Sequence, residues 1–185
     1  MNIMVDMDDV ITGNIFFDLI CEFLGEKIDI NNVKTYYLQE LLGDRAVEFW
    51  ESVKNKNFYE GDEIYEHCYE VMKKLNKKHN VYIVTSYLWK DTIDISGNNL
   101  SNKYYYLKEK LPFIEPEKYV FTTDKSILHF DVRIDDKINN LTDGKIKLLY
   151  DAWHNRDISD EELAEKGIIR VYNWYDVEKA LESIL

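Results

Sequence analysis

The sequence predicts an α/β fold built on a parallel sheet, and three observations support this prediction. Short apolar and β-branched runs recur along the chain, as in strands whose two faces are both covered. Segments with apolar residues at helical spacing separate several of these runs. With only two prolines and seven glycines, the chain has no linker-like segment. The strands are predicted at residues 3–5, 81–84, 119–121, 132–134, 146–150 and 168–171.

Helices are predicted to fill most of the region between the first and second strands. Apolar residues recur at helical spacing there, and Gly25 is a suitable C-terminal stop for the first helix. The chain is expected to close with a helix over residues 174–185, for which Asn173 is the N-cap. The helical segments before the second strand are predicted at residues 15–24, 36–42, 46–53 and 63–78.

Length and charge restrict the classes of protein to consider. A chain of 185 residues with 45% hydrophobic residues is long enough for one domain with a full core, with room for a small insertion. Its net charge of −12 argues against polymeric nucleic acid or an anionic membrane as a partner, since both require a basic surface. An anionic substrate would therefore need a local cation.

The remaining composition is typical of a cytoplasmic protein. Cys21 and Cys68 lie in helical patterns without metal-ligand spacing, which favours reduced thiols over a disulfide. No secretion signal is expected, because the first strand begins at the N-terminus, and no apolar run approaches the roughly 20 residues of a membrane span. The oligomeric state stays open, and a homodimer is one of the possibilities.

An acidic cluster, Asp6-Met7-Asp8-Asp9-Val10, directly follows the first predicted strand. Its carboxylates repel one another, so a buried setting requires a cation or a protonated partner. Alternation along an extended backbone places Asp6 and Asp8 on the same side. A solvated loop is the plain alternative. A calcium-binding loop is disfavoured, because it would need an oxygen ligand at Val10, glycine at Ile11 and a bidentate glutamate at Phe17.

Polar residues also follow the later strands, and the carboxyl ends of parallel strands share one edge of the sheet, where ligands bind. Each type has a use in phosphoryl transfer: a carboxylate attacks phosphorus, a second one moves a proton, hydroxyl and backbone donors hold phosphate oxygens, and a lysine offsets negative charge. Magnesium would relieve the repulsion between the acids. Taken singly, each residue is equally consistent with a cap, a turn or a solvated loop. These residues are Thr85, Ser86, Lys125, Asp135 and Asp136.

The four segments together resemble the four motifs of the haloacid dehalogenase-like phosphohydrolase superfamily. The segments are Asp6-Met7-Asp8-Asp9-Val10, Ile83-Val84-Thr85-Ser86, Thr123-Asp124-Lys125 and Ile134-Asp135-Asp136-Lys137. More narrowly, they resemble the 5′(3′)-deoxyribonucleotidases of the cytosolic type C family. The resemblance implies a three-layer α/β sandwich with a mainly parallel, Rossmann-like sheet. It also implies a small helical cap at residues 14–72, inserted into a core of residues 1–13 and 73–185.

The resemblance also implies a role for each motif residue. Asp6 would be the nucleophile and Asp8 the general acid and base. Mg²⁺ would be held by Asp6, the main-chain carbonyl of Asp8, and Asp136, with Asp135 supporting these ligands, although the roles of Asp135 and Asp136 could be reversed. Thr85, Ser86 and Lys125 would bind the phosphate.

The function implied is a Mg²⁺-dependent phosphomonoesterase that hydrolyses nucleoside monophosphates, chiefly pyrimidine deoxynucleotides, through an aspartyl-phosphate. Two alternatives stay open: a phosphatase of the same fold acting on a sugar phosphate or another small metabolite, and a non-enzymatic receiver switched by phosphorylation of an aspartate. A receiver is disfavoured by motif order, because its lysine comes last, whereas Lys125 precedes Asp135 and Asp136. Among the cap aromatics, Phe17, Phe49 and Trp50 are the candidates for contact with a nucleobase.

Two further segments have open roles. Asp9 stands where many members of the family have glycine, and we interpret it as a cap for the following helix. The segment from His154 to Arg156 follows the fifth predicted strand and lies either at the rim of the site or in a solvated loop.

Overall fold

The computed structural model of the protein describes residues 1–33, 35–88 and 92–185. Its centre is one six-stranded sheet in the order β3-β2-β1-β4-β5-β6, and every pair of neighbouring strands is parallel. The predicted α/β class with a parallel sheet is therefore confirmed. The strands are β1 (Asn2–Val5), β2 (Asn80–Thr85), β3 (Tyr119–Phe121), β4 (Val132–Asp135), β5 (Ile146–Tyr150) and β6 (Ile169–Val171).

Strand β1 lies in the middle of the sheet, between β2 and β4. Val5 pairs with Ile83 on one side and with Ile134 on the other, and the Asp6 amide extends the pairing by donating to the Ile134 carbonyl at 2.9 Å. All three of these apolar side chains are fully buried. The motif residues that follow β1, β2 and β4 therefore leave the sheet at one edge, as expected for parallel strands.

Six α-helices accompany the sheet in the described part of the chain. Two predicted ends are confirmed: Gly25 ends α1 with a φ of 70°, and the Asn173 side chain accepts a hydrogen bond from the Asp176 amide at the start of α6. The last helix stops at Ala180, before the predicted end at residue 185. The helices are α1 (Ile15–Leu24), α2 (Ala46–Val53), α3 (Cys68–Lys78), α4 (Ser96–Lys110), α5 (Asp160–Glu165) and α6 (Trp174–Ala180).

Two helical predictions need correction. The segment predicted at 36–42 is a 3₁₀ helix, Leu38–Arg45, which is kinked at Gly43. Helix α3 begins at Cys68 instead of residue 63, because Ile64 pairs with Thr12 as an isolated β-bridge and the next amide donates to the Ile11 carbonyl at 2.8 Å. Tertiary hydrogen bonds thus hold this stretch in an extended form that its apolar spacing does not reveal.

The segment between β1 and β2 contains α1, α2 and α3. Helices α1 and α2 both pack on the 3₁₀ helix, whereas α3 packs on β2 and α6 of the sheet region. The proposed boundary between residues 72 and 73 falls inside α3. The division into a cap of residues 14–72 and a core stays a proposal.

Both cysteines are free thiols. Among the described residues, no helix combines the length and the apolar character needed to cross a membrane.

Candidate active site

Lys125 lies at the centre of the cluster at the sheet edge and pairs with two carboxylates. Its Nζ is 2.7 Å from Asp6 Oδ2 and 2.7 Å from Asp135 Oδ2. All three residues are buried. Asp6 Oδ1 accepts a hydrogen bond of 2.7 Å from the Met7 amide, which fixes the carboxylate at the end of β1. The Lys125 ammonium group, in the loop after β3, thus connects the end of β1 with the end of β4.

Asp135 is held by donors on both of its oxygens. Oδ2 faces Lys125, while Oδ1 accepts from the Lys137 amide and from Asn140 Nδ2, each at 2.9 Å. The side chain is completely buried. A carboxylate bound on every side in this way is suited to positioning Lys125 and its neighbours rather than to reacting itself.

Asp136 has a different set of contacts. Its Oδ2 lies 2.7 Å from His154 Nε2, and Asn155 Nδ2 donates to the Asp136 main-chain carbonyl at 2.8 Å. Asn155 also donates to the Tyr150 carbonyl at 2.8 Å, so it ties the end of β5 to the loop after β4. Residues 154–156 were predicted to lie either at the rim of the site or in a solvated loop. The contact with Asp136 agrees with the first interpretation for His154.

Burial governs the charges in this cluster. Loss of solvent raises the pKa of Asp6 to about 6, an effect that the nearby Lys125 charge opposes in part. Burial likewise raises the pKa values of Asp135 and Asp136. Burial alone would lower the pKa of Lys125, but the carboxylates of Asp135 and Asp6 raise it above its usual value. Lys125 is therefore a permanent cation among carboxylates that are costly to ionise.

The same carboxylates fit a hard divalent cation. Ligand atoms from Asp6, Asp135 and Asp136 all lie within 4.8 Å of one another, and all three residues are buried. A second group at the same spacing consists of Asp9, Asp136 and His154. Carboxylate oxygens are the ligands that Mg²⁺ prefers, and a cation would offset the repulsion that burial makes costly. The acidic cluster can hold a metal ion.

Asp8 points into the same region but is much more exposed, with 47% of its side chain accessible. Tyr59 donates to its Oδ1 at 2.7 Å, and the Lys103 ammonium binds its Oδ2. Lys103 itself is buried and also donates to Thr85 Oγ1 at 2.7 Å. Asp8 is therefore held in one orientation while staying open to solvent and to a ligand.

The contacts of Lys103 and Tyr59 with Asp8 were not predicted from the sequence. Lys103 lies on α4 one turn before Leu107, on a buried side of the helix that also carries the polar Ser96 and Asn99, so the spacing from Leu107 is the one sequence signal for its burial. Tyr59 lies in the loop after α2, where its sequence context gives no such signal. Both contacts depend on how distant segments pack.

Thr85 and Ser86 have different surroundings. Thr85 is 1% exposed, and its hydroxyl contacts Lys103 and, at 3.3 Å, the Ser86 carbonyl. Ser86 instead lines the cavity above the cluster. Ser86 is therefore open to a ligand in the cavity, whereas the Thr85 hydroxyl is in contact with Lys103. Phosphate binding by these two residues stays a prediction.

A cavity of about 500 Å³ opens above the cluster. It is lined by four acids, Asp6, Asp8, Asp9 and Asp136, by the lysines Lys103, Lys125 and Lys137, and by several aromatic residues. Of the three predicted base contacts, Trp50 is among the lining residues, whereas Phe17 and Phe49 are not. Phe49 is completely buried between Phe16, Phe23 and Trp50, with ring centroids 5.1 to 5.8 Å apart. The aromatic residues that line the cavity are Phe16, Tyr36, Tyr37, Trp50, Tyr87 and Trp153.

Asp9 does not cap the first helix, so this interpretation is wrong. The cap of α1 is Asn14, whose side chain accepts from the Phe17 amide at 3.1 Å. Asp9 has a φ of 58°, lines the cavity, and has a pKa raised well above the usual value by burial and by the Asp136 charge. Its carboxyl group therefore belongs to the acidic cluster.

Comparison with known proteins identifies the family. The model of the family described as "5' nucleotidase, deoxy (Pyrimidine), cytosolic type C protein" matches residues 1–184. The chain therefore belongs to this nucleotidase family. The resemblance to the haloacid dehalogenase-like superfamily and its type C nucleotidase branch is confirmed, and the family is one of hydrolases.

Individual relatives agree with this assignment. A Staphylococcus epidermidis protein named "Putative 5'(3')-deoxyribonucleotidase" is 27% identical over 188 residues, which cover 98% of this chain and 96% of the relative. The 5'(3')-deoxyribonucleotidase of Bacillus subtilis is 36% identical over 129 residues, covering 69% of this chain and 64% of the relative. A Clostridium acetobutylicum protein of the same name is 28% identical over 138 residues, covering 74% and 68%.

Proposed function

We propose that this nucleotidase-family member is a Mg²⁺-dependent phosphomonoesterase that hydrolyses nucleoside monophosphates, with pyrimidine deoxynucleotides preferred. The observation that carries the proposal is the position of the Lys125 ammonium, 2.7 Å from both Asp6 and Asp135, beneath a cavity that Asp8 also lines. The names of the family and of its relatives support the nucleotide as substrate.

The chemistry that these residues can perform has two steps. In the first, an Asp6 carboxylate oxygen attacks phosphorus, the bond from phosphorus to the ester oxygen breaks, and Asp8 gives its proton to the departing alkoxide. In the second, Asp8 takes a proton from water, the resulting hydroxide attacks the aspartyl-phosphate, and Asp6 is released with inorganic phosphate. Water thus replaces the proton that Asp8 gave to the alcohol, and both aspartates end the cycle in the state in which they began it.

Charge control in these steps falls to the lysines and to the metal. Asp6 and Asp136, with the main-chain carbonyl of Asp8, would hold Mg²⁺, which when bound polarises a phosphate oxygen and relieves the repulsion between acids. Lys125, fixed by Asp135, offsets the negative charge that develops on the phosphoryl oxygens. Lys103 and Tyr59 keep Asp8 aimed into the cavity.

The cavity wall supports a flat substrate group. Phe16 and Trp50 stack on one another with centroids 5.5 Å apart and an interplanar angle of 18°, and both line the cavity. Tyr36 also lines the cavity, where it packs on Trp153, with the Lys137 ammonium 3.9 Å from the centroid of the Tyr36 ring. Aromatic faces of this kind bind a nucleobase by stacking. A sugar phosphate offers no matching surface.

A phosphate-release panel tests the substrate class. With Mg²⁺ present we expect turnover of thymidine 5′-monophosphate and thymidine 3′-monophosphate, slower turnover of 2′-deoxyadenosine 5′-monophosphate, and little of glucose 6-phosphate. Chelation of the metal should stop all of them. Efficient hydrolysis of the sugar phosphate with no turnover of any nucleotide would reject the nucleotide as substrate and favour the small-metabolite alternative.

Replacing Asp136 by asparagine should weaken the dependence on Mg²⁺ first. We expect the Mg²⁺ concentration for half-maximal activity to rise by at least about tenfold, because a neutral amide is a poorer ligand for a hard cation than a carboxylate. A metal titration of activity, paired with calorimetric titration of Mg²⁺, measures the change. The exposed Asp157→Asn variant has the same change in charge and should leave the titration unaltered. An unchanged midpoint in Asp136→Asn would contradict the assignment.

A further inference from the structure

Asn99, one of the residues that line the cavity, has a buried side-chain oxygen that accepts no hydrogen bond from the described part of the chain. The residue lies in the first turns of α4 and is 3% exposed. Its Nδ2 donates to the Tyr87 carbonyl at 3.0 Å, which fixes the side-chain amide. Among the residues that the structure describes, no donor reaches Oδ1, although this oxygen is buried and Asn99 lines the cavity. A buried carbonyl oxygen without a donor is costly, and such atoms are uncommon in folded proteins.

The position of Asn99 indicates which part of a ligand could supply the donor. Its bond to the Tyr87 carbonyl places it beside Ser86, the cavity-lining residue next to the proposed phosphate position. Lys103, which contacts Asp8, lies one turn further along the same helix. In a nucleoside monophosphate the group directly attached to the phosphate is the sugar. The stacked pair of cavity-lining rings, Phe16 and Trp50, comes instead from α1 and α2.

We propose that Asn99 Oδ1 accepts a hydrogen bond from the free sugar hydroxyl of the substrate, the 3′-hydroxyl of a 5′-monophosphate, and so selects for it. This inference rests on the proposed function. A carbonyl oxygen only accepts, and a sugar hydroxyl can donate to it. A substrate without that hydroxyl leaves the buried oxygen without a hydrogen bond. Binding sites discriminate strongly in this way between a substrate and an analogue that lacks one polar group.

A matched pair of substrates isolates this contact. Thymidine 5′-monophosphate and 3′-deoxythymidine 5′-monophosphate carry the same base, phosphate and charge and differ by the hydroxyl alone. We expect kcat/KM of the unmodified protein to favour the first by about tenfold or more. In Asn99→Leu the preference should fall to within about twofold, chiefly through slower turnover of thymidine 5′-monophosphate. Any intrinsic effect of the hydroxyl on the leaving group is the same in both proteins and cancels in the comparison.

Two further variants separate the oxygen from the rest of the side chain. Asn99→Asp keeps an oxygen acceptor but cannot donate to the Tyr87 carbonyl, so it should retain part of the preference, since its added charge acts equally on both substrates. Asn102→Leu removes an amide from the same helix that donates to the Lys56 carbonyl at 3.1 Å and does not line the cavity. It should keep both the preference and the activity.

The possible outcomes are distinct. Equal hydrolysis of both substrates by the unmodified protein overturns the inference while leaving the proposed function intact. The inference is also overturned if Asn99→Leu keeps the preference for the substrate with the hydroxyl. It is overturned as well if Asn99→Asp loses this preference as completely as Asn99→Leu does. Failure to hydrolyse any nucleotide rejects the proposed function itself. A thermal melt of each variant establishes that the comparison is made on folded protein.

Discussion

Replacing Asp6 by asparagine should abolish turnover of every phosphomonoester while leaving the fold intact. The amide is almost the same size as the carboxylate but cannot attack phosphorus, and loss of a nucleophile costs at least about 10⁴-fold in kcat in comparable enzymes. Phosphate release under saturating substrate measures the loss. Residual activity within tenfold of the unmodified protein would contradict the assignment of Asp6 as the nucleophile.

The same variant should be more stable than the unmodified protein when metal is absent. Burial raises the pKa of Asp6 from 3.8 to about 6, so the folded state binds this proton more tightly than the unfolded state does. The stability that the proton gives is fully present below pH 3.8 and is lost as the pH rises through 6. At pH 8, where the ionised carboxylate must be buried, asparagine should raise the free energy of unfolding by about 3 kcal/mol.

Chemical denaturation at several pH values, with a chelator present, measures this difference. The advantage of Asp6→Asn should shrink as the pH falls from 6 towards 4, because the unmodified Asp6 is then protonated. Added Mg²⁺ should stabilise the unmodified protein more than the variant. The exposed Asp44→Asn variant carries the same charge change and should show neither effect. A variant much less stable than the unmodified protein at pH 8 would show that Asp6 stabilises the fold.

The convergence of the motif residues could be predicted because it depends on a general property of parallel sheets. Asp6, Lys125 and Asp135 are far apart in the chain, but each follows a short apolar run, and the ends of parallel strands share one edge. Their ion pairs at 2.7 Å follow from this topology together with the residue types. No information on side-chain packing was needed.

The features that escaped prediction depend on packing between distant segments. Lys103 reaches Asp8 only because α4 turns its polar residues towards the sheet edge, and Tyr59 reaches it from a loop. The aromatic residues that line the cavity were also only partly predicted, for the same reason. Successive helical residues are rotated by about 100°, so Phe16 faces the cavity and Phe17 does not, and a shift of one residue in the predicted face exchanges them.

Replacing Asp8 by asparagine should separate the two steps of the proposed reaction. Asparagine keeps the size of the side chain but provides neither a proton for the departing alkoxide nor a base for water. We expect kcat for thymidine 5′-monophosphate to fall by about 10²- to 10⁴-fold, the usual contribution of general acid and base catalysis. With 4-nitrophenyl phosphate, whose leaving group departs without a proton, the first step should stay close to its normal rate.

The second step should then limit the aryl substrate, because water still lacks a base. A rapid-mixing experiment should therefore show a burst of about one 4-nitrophenolate per enzyme, followed by slow turnover as the aspartyl-phosphate accumulates. Asp6→Asn, which cannot form this ester, should show no burst. Equal slowing of both substrates without a burst would mean that Asp8 acts on binding or on the fold. Undiminished nucleotide turnover would mean that no proton passes through Asp8. The contacts of Asp8 with Lys103 and Tyr59 would then hold a carboxylate that the reaction does not use.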